Sequence, residues 1–103
     1  MNLSYSVVIR TLGNTGVKYQ SLLQSIKAQT IQPEEIIVVI PRGYELDYKI
    51  GSERVVYCEK GMVQQRAVGI AESNSEYSLI CDDDIQFAPN MVEELYKIWN
   101  RRI

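Results

Sequence analysis

Asp82, Asp83 and Asp84 are consecutive, and they follow directly on Tyr77-Ser78-Leu79-Ile80-Cys81. Three adjacent carboxylates repel one another unless a cation or hydrogen-bond donors answer them. Oxygen ligands in a chain without histidine suit a hard divalent ion such as Mg²⁺, Mn²⁺ or Ca²⁺. Held by one or two carboxylates, such an ion keeps open positions for phosphate oxygens and neutralises charge developing on a departing diphosphate. The structural alternative is that the acids cap the next helix or line a solvated loop, which would suit one acid better than three. The lack of histidine also excludes Ser-His-Asp and Cys-His catalysis and any His-ligated metal.

A short, nearly unbroken apolar run ahead of the acids is the pattern of a strand buried on both faces. In open α/β sheets, ligands bind beyond the carboxyl ends of the strands, and the acids fall at such an end. The elements that must position them are legible in order. Ser6–Thr11 reads as a first strand, and Leu12–Gly16 as a turn with Asn14 or Thr15 as helix N-cap. Val17 to about Gln29 has apolar residues at Tyr19, Leu22, Leu23 and Ile26, the spacing of an amphipathic helix. Glu35–Ile40 is a second strand closed by Pro41-Arg42-Gly43, which makes a βαβ unit with parallel strands.

Residues 44–53 read as a loop. Arg54–Cys58 is a third strand and Glu59-Lys60-Gly61 a turn. Met62–Ala71 fits a helix with Val63, Ala67, Ile70 and Ala71 facing inward, and Tyr77–Cys81 is the fourth strand. Pro89 is placed as the first residue of a last helix, whose apolar stripe is Val92, Leu95, Ile98 and Trp99. The order β-α-β-β-α-β-α predicts an α/β, three-layer, Rossmann-like fold with a parallel sheet of about four strands flanked by helices.

With 103 residues, 46% of them hydrophobic and 23% charged, residues 1–103 read as a single domain with one core. A net charge of −2 argues against a nucleic-acid-binding surface. Cys58 and Cys81 lie in apolar runs and read as buried reduced thiols rather than a disulfide. No apolar stretch approaches the roughly 20 residues of a membrane helix, and the N-terminus has no signal-like core. A cytoplasmic domain is expected, with any membrane association supplied by a longer parent chain.

The ordered set Ser6-Val7-Val8-Ile9-Arg10-Thr11, Leu22 to Thr30, Glu35 to Val39, Gly61 with Arg66 to Ala71, and Asp82-Asp83-Asp84 followed by Pro89 resembles the start of a family 2 glycosyltransferase of the GT-A fold. The similarity runs through nearly the whole chain. It implies that the acids form the family's DxD site. Asp84 would be the ligand of Mn²⁺ or Mg²⁺ beside the diphosphate, Asp82 a second acidic partner of the metal, and Asp83 a neighbour of the ribose. Thr11, Pro41, Lys60, Gly61 and Arg66 would flank the nucleotide.

Two departures stand out. After the second strand the family carries an acid that reads the base, whereas here the residues are Ile40-Pro41-Arg42-Gly43. The family's Arg-Asn pair is Arg66-Ala67. The resemblance further implies a nucleotide-diphospho-sugar donor, an acceptor that is a glycan, lipid or protein, and inversion at the anomeric carbon. It also implies that the general base lies beyond Ile103, so no residue here is assigned that role and the chain alone is expected to be inactive. As the nucleotide-binding half of a truncated domain, the chain should expose the edge of its fourth strand and self-associate there, or lose order around 84–88.

Two other readings compete. Leu79 to Asp84 resembles the nucleophile strand of haloacid-dehalogenase-like phosphatases, in which Asp82 would be attacked by phosphate, though that motif opens its domain and here lies near the end. A non-catalytic nucleotide- or divalent-metal-binding module is the other. Tyr44 or Tyr48 in the long loop could stack on a base.

Overall fold

Val7, Val8 and Ile9 alternate their side chains between two faces, and all three are essentially inaccessible to solvent, so β1 (Tyr5–Arg10) must be covered on both sides. The computed structural model describes residues 4–46 and 51–101, with side chains through residue 98. It shows how the cover is built. The remaining elements are α1 (Val17–Lys27), β2 (Glu35–Pro41), β3 (Arg54–Cys58), α2 (Met62–Glu72), β4 (Tyr77–Asp82) and α3 (Met91–Arg101). The four strands form one parallel sheet in the order β3-β2-β1-β4. The fold is the expected three-layer α/β arrangement.

One face of the sheet carries Val7, Ile9, Ile36, Val38 and Cys81 against Tyr19, Leu22, Leu23 and Ile26 of α1. Phe87 and Val92 join the same cluster, so α3 is seated through its first turn. On the other face Val8, Ile37, Val39 and Cys58 meet α2 through Val68. Each such aliphatic side chain withdrawn from water contributes about 1.5–3 kcal/mol. Chain order runs leftward through β2 and β3, then returns under α2 to β4 on the far side of β1. The crevice between β1 and β4 is therefore the topological switch point, where ligands bind in sheets of this kind.

The inward face of α2 differs from the sequence expectation. Val63 is 77% exposed and Ile70 50% exposed, and Ala67 and Ala71 are also exposed. Gln65 and Gly69 are the buried residues. Helical spacing permitted either stripe, and close approach decided it. A Cβ on Gly69 would stand 2.1 Å from Val8 Cγ1 and 3.1 Å from Val39 Cγ2, so only glycine lets α2 settle onto β1 and β2.

Two helix starts also shift. The N-cap of α1 is Gly16, at φ 55°, rather than Asn14 or Thr15. Pro89 lies in the turn before α3, which begins at Met91. On α3, Val92 is buried, but Leu95 and Ile98 are about half exposed, and the Trp99 side chain and Tyr48 lie outside the described residues. Cys58 and Cys81 are free; they occupy opposite edge strands, about 14 Å apart at normal strand spacing, too far for a disulfide. Among the described residues, no helix is long and apolar enough to cross a membrane.

Candidate functional site

The three acids at the end of β4 have three different environments. Asp82 faces the α2 side of the sheet and is the register partner of Arg10 on β1. Arg10 Nε donates to Asp82 Oδ1 at 3.0 Å. Arg66 Nη2, from α2, donates to the same oxygen at 3.1 Å and to Oδ2 at 3.4 Å. Partial burial raises the Asp82 carboxyl, but the hydrogen bonds and charge of Arg10 and then Arg66 outweigh it and hold the group below the usual carboxylate range.

Asp83 is turned inward and 8% exposed. Thr11 Oγ1 donates to its Oδ2 at 2.5 Å, and the Gly13 N–H donates to Thr11 Oγ1 at 2.9 Å. A hydroxyl-to-carboxylate bond of that length is charge-assisted. Asp84, one residue on, is exposed and has no hydrogen-bond or ion-pair partner among the described residues.

The turn that carries the acids is anchored from α1. Phe87 is buried, and its N–H donates to Ser25 Oγ at 3.1 Å. Gln29 Nε2 donates to the Ala88 carbonyl at 2.7 Å, and Gln29 Oε1 accepts from the Val92 N–H at 3.1 Å. One buried amide thus closes the acid loop and satisfies an orphan donor at the start of α3. The Thr30 N–H donates to the Pro89 carbonyl at 2.9 Å. Residues 84–88 are held at this end.

On the β1–β2 side, Gln65 is 1% exposed and Nε2 donates to the carbonyls of Thr11 at 3.1 Å and Val39 at 3.0 Å. Its Oε1 accepts from the Gly61 N–H at 3.4 Å. Gln65 therefore ties the two strand ends to the loop in front of α2. Lys60 does not reach the acids; Nζ donates to the Tyr44 hydroxyl at 2.8 Å and lies 5.2 Å from the ring centroid. Pro41 is buried at the end of β2, paired in register with Cys58. Arg42 bonds Glu59 at 2.7 Å.

Thr11 with Asp83, and Arg10 with Asp82 and Arg66, thus form two hydrogen-bonded groups at the carboxyl ends of β1 and β4, with Asp84 exposed in the turn that follows. Pro41, Lys60 and Gly61 lie along the same carboxyl edge of the sheet, and Gly61 is linked to the crevice through Gln65. Arg10 and Gln65 have no role assigned from the sequence, because an isolated arginine at a strand end and a glutamine inside a helix carry no pattern that marks them. Gln29, just past the end of α1, belongs to the helix end on which the resemblance rests, but its part in holding the acid turn is not legible there.

Neither thiol is poised for chemistry. Burial, then the charges of Asp82 and Asp83, push the Cys81 thiol up to about 12, and burial raises Cys58. Among the described residues no three acids or thiols converge on a common point. A cation here would take one protein carboxylate, Asp84, and complete its shell from phosphate and water, which is how Mg²⁺ and Mn²⁺ behave at phosphate sites.

No protein-family model matches the chain. It is 35% identical over 83 residues to a protein of Bacillus subtilis (strain 168) named uncharacterized glycosyltransferase YwdF. The sequence relationship is to a glycosyltransferase. The match covers 74% of this chain and 31% of that protein, so the chain spans about a third of the relative's length.

Proposed function

We propose that the chain is the nucleotide-diphospho-sugar-binding part of a family 2, GT-A-type glycosyltransferase, using Mn²⁺ or Mg²⁺ at Asp84. The observation that carries the reading is the Thr11–Asp83 hydrogen bond. It locks the acid turn against the end of β1 at the switch point of the sheet and leaves the Asp84 carboxylate open beside it. The likeness to a named glycosyltransferase supports the same reading.

In this reading Asp83, held by Thr11, faces the ribose, and Arg66 offers its unused N–H groups to the anionic part of the donor. Bound at Asp84, the divalent ion would neutralise charge on the departing diphosphate. Ile40-Pro41-Arg42-Gly43 has no acid where the family carries one, so that carboxylate contact to the base is missing and the base is left unassigned. The acceptor site and the general base of an inverting transfer are assigned to parts of a longer protein.

Two features weigh against the competing readings. As a phosphatase nucleophile, Asp82 would need a free oxygen, yet its carboxylate is taken by two guanidinium groups. A module that bound a divalent metal without a nucleotide would need more ligands than Asp84, and among the described residues no group of three or more candidate ligands forms. A non-catalytic nucleotide-binding module is separated by an activity assay of the longer protein. Calorimetric titration of the 103-residue chain with UDP, GDP and dTDP, each with Mn²⁺ and with a chelator, tests the proposal. Metal-dependent binding of at least one is expected; no binding of any would sink it.

A further inference from the structure

Three elements converge on a single carboxylate. Arg10 reaches Asp82 from β1 and Arg66 from α2, and Asp82 itself ends β4. Asp82 Oδ1 accepts from both guanidinium groups, and Oδ2 accepts a longer bond from Arg66. The Asp82 side chain is 33% exposed, with Arg10 at 20% and Arg66 at 41%, so the group sits at the surface of the crevice rather than in the core.

We propose that Asp82 is a positioning residue that holds the Arg10 and Arg66 guanidinium groups at the β1–β4 crevice, and that it takes no part in binding the metal. The inference rests on the nucleotide-diphosphate reading of this crevice and revises the role the resemblance gives Asp82.

Lone pairs and charge both argue for it. A metal on Asp82 Oδ1 would have to displace two charge-assisted bonds, and one on Oδ2 the longer bond from Arg66; at either oxygen it would lie beside two cations, which repel it. Asp84 offers an open carboxylate with no such cost. Two guanidinium groups and one carboxylate leave a single net positive charge. A guanidinium carries five N–H donors, and Arg66 spends only those of Nη2 on Asp82, so the remainder can meet an anion. Fixing that fork in advance reduces the ordering cost when the anion arrives.

Arginine side-chain NMR on the 103-residue chain separates the possibilities. The wild type is expected to show a slowly exchanging Arg10 Nε–H signal that D82N removes, that D84N keeps, and that saturating Mg²⁺ leaves in place. Loss of that signal on adding Mg²⁺, or wild-type exchange as fast as in D82N, would overturn the proposal. The second arm measures, with Mg²⁺ present, the affinity for whichever of UDP, GDP and dTDP the wild type binds most tightly. D82N and R66Q should each weaken it about tenfold, and the double variant should fall no further than R66Q alone, because the two act as one unit. Additive losses, or a D82N chain that binds that nucleotide like the wild type, would overturn it as well. A wild type that binds no nucleoside diphosphate defeats the transferase reading instead, and the Arg10 signal still reports whether Asp82 holds the arginines.

Discussion

The hydroxyl of Thr11 joins the end of β1 to the turn after β4: it donates to Asp83, 72 positions away, while accepting from the Gly13 N–H. Both partners are nearly inaccessible to solvent. A buried carboxylate and a buried amide therefore depend on one side chain. Gln65 supports the same point by donating to the Thr11 carbonyl, so backbone and side chain of Thr11 are both fixed.

Replacing Thr11 with valine keeps the shape and removes the hydroxyl. The Gly13 N–H and one Asp83 oxygen are then left without it, and T11V should lose about 1–3 kcal/mol of stability, whereas T11S should lose less. Urea denaturation of the three chains checks this. Equal midpoints for T11V and wild type would mean that the turn is held by other contacts.

The placement of α2 gives a second test. G69A puts a methyl group into Val8 and Val39 and should destabilise by about 1–3 kcal/mol through overpacking. V63A, on the exposed side of the same helix, should stay within about 0.5 kcal/mol of wild type. The reverse ranking would mean that the helix faces the sheet as its apolar spacing alone suggested.

That helix also marks where the sequence is ambiguous. Parallel pairing and the acid-bearing strand end are legible, because parallel strands are written as apolar runs and the crossovers as helical periods. The order of the strands in the sheet is not, and the run before the acids, which reads as a strand buried on both faces, is the edge strand β4, with Tyr77, Ser78 and Ile80 exposed. The face of α2 is not legible either. Val63, Ala67, Ile70 and Ala71 make a good apolar stripe, and what overrode it was a backbone-to-strand approach that needs glycine and a glutamine amide that satisfies two strand-end carbonyls. Polar residues that serve the backbone look like surface residues in a sequence. The acid cluster was legible as a group, but its division was not. Which oxygen meets Arg10, Thr11 or solvent depends on the register of β1 with β4.

At the opposite end of the sheet, Glu35 gathers the start of β2 with the α2–β4 connection. It accepts from the Asn74 N–H at 2.7 Å and the Ser6 hydroxyl at 2.8 Å, and pairs with Arg54 at 3.4 Å. The Asn74 N–H is the largest influence; with Ser6 and Arg54 it outweighs the opposing effect of burial, and the carboxyl sits below its usual range. A depressed folded pKa means that the stabilisation is complete above the unfolded value of about 4.3. It is lost as the pH falls through the lower folded value. E35Q should therefore be less stable than wild type at pH 7, with the gap closing below about pH 4. Thermal unfolding across that range measures it, and a gap independent of pH would refute the assignment.

The most direct test of the account is ³¹P relaxation of a bound nucleoside diphosphate in the presence of Mn²⁺, comparing the wild-type chain with D84N. Strong Mn²⁺-induced relaxation of the phosphorus signals is expected on the wild-type chain, above that of the free Mn²⁺–nucleotide complex. That excess should disappear in D84N while the fold is retained. Nucleotide that binds equally well to D84N, or to wild type under chelation, would contradict the claim that an ion at Asp84 bridges this crevice to a diphosphate.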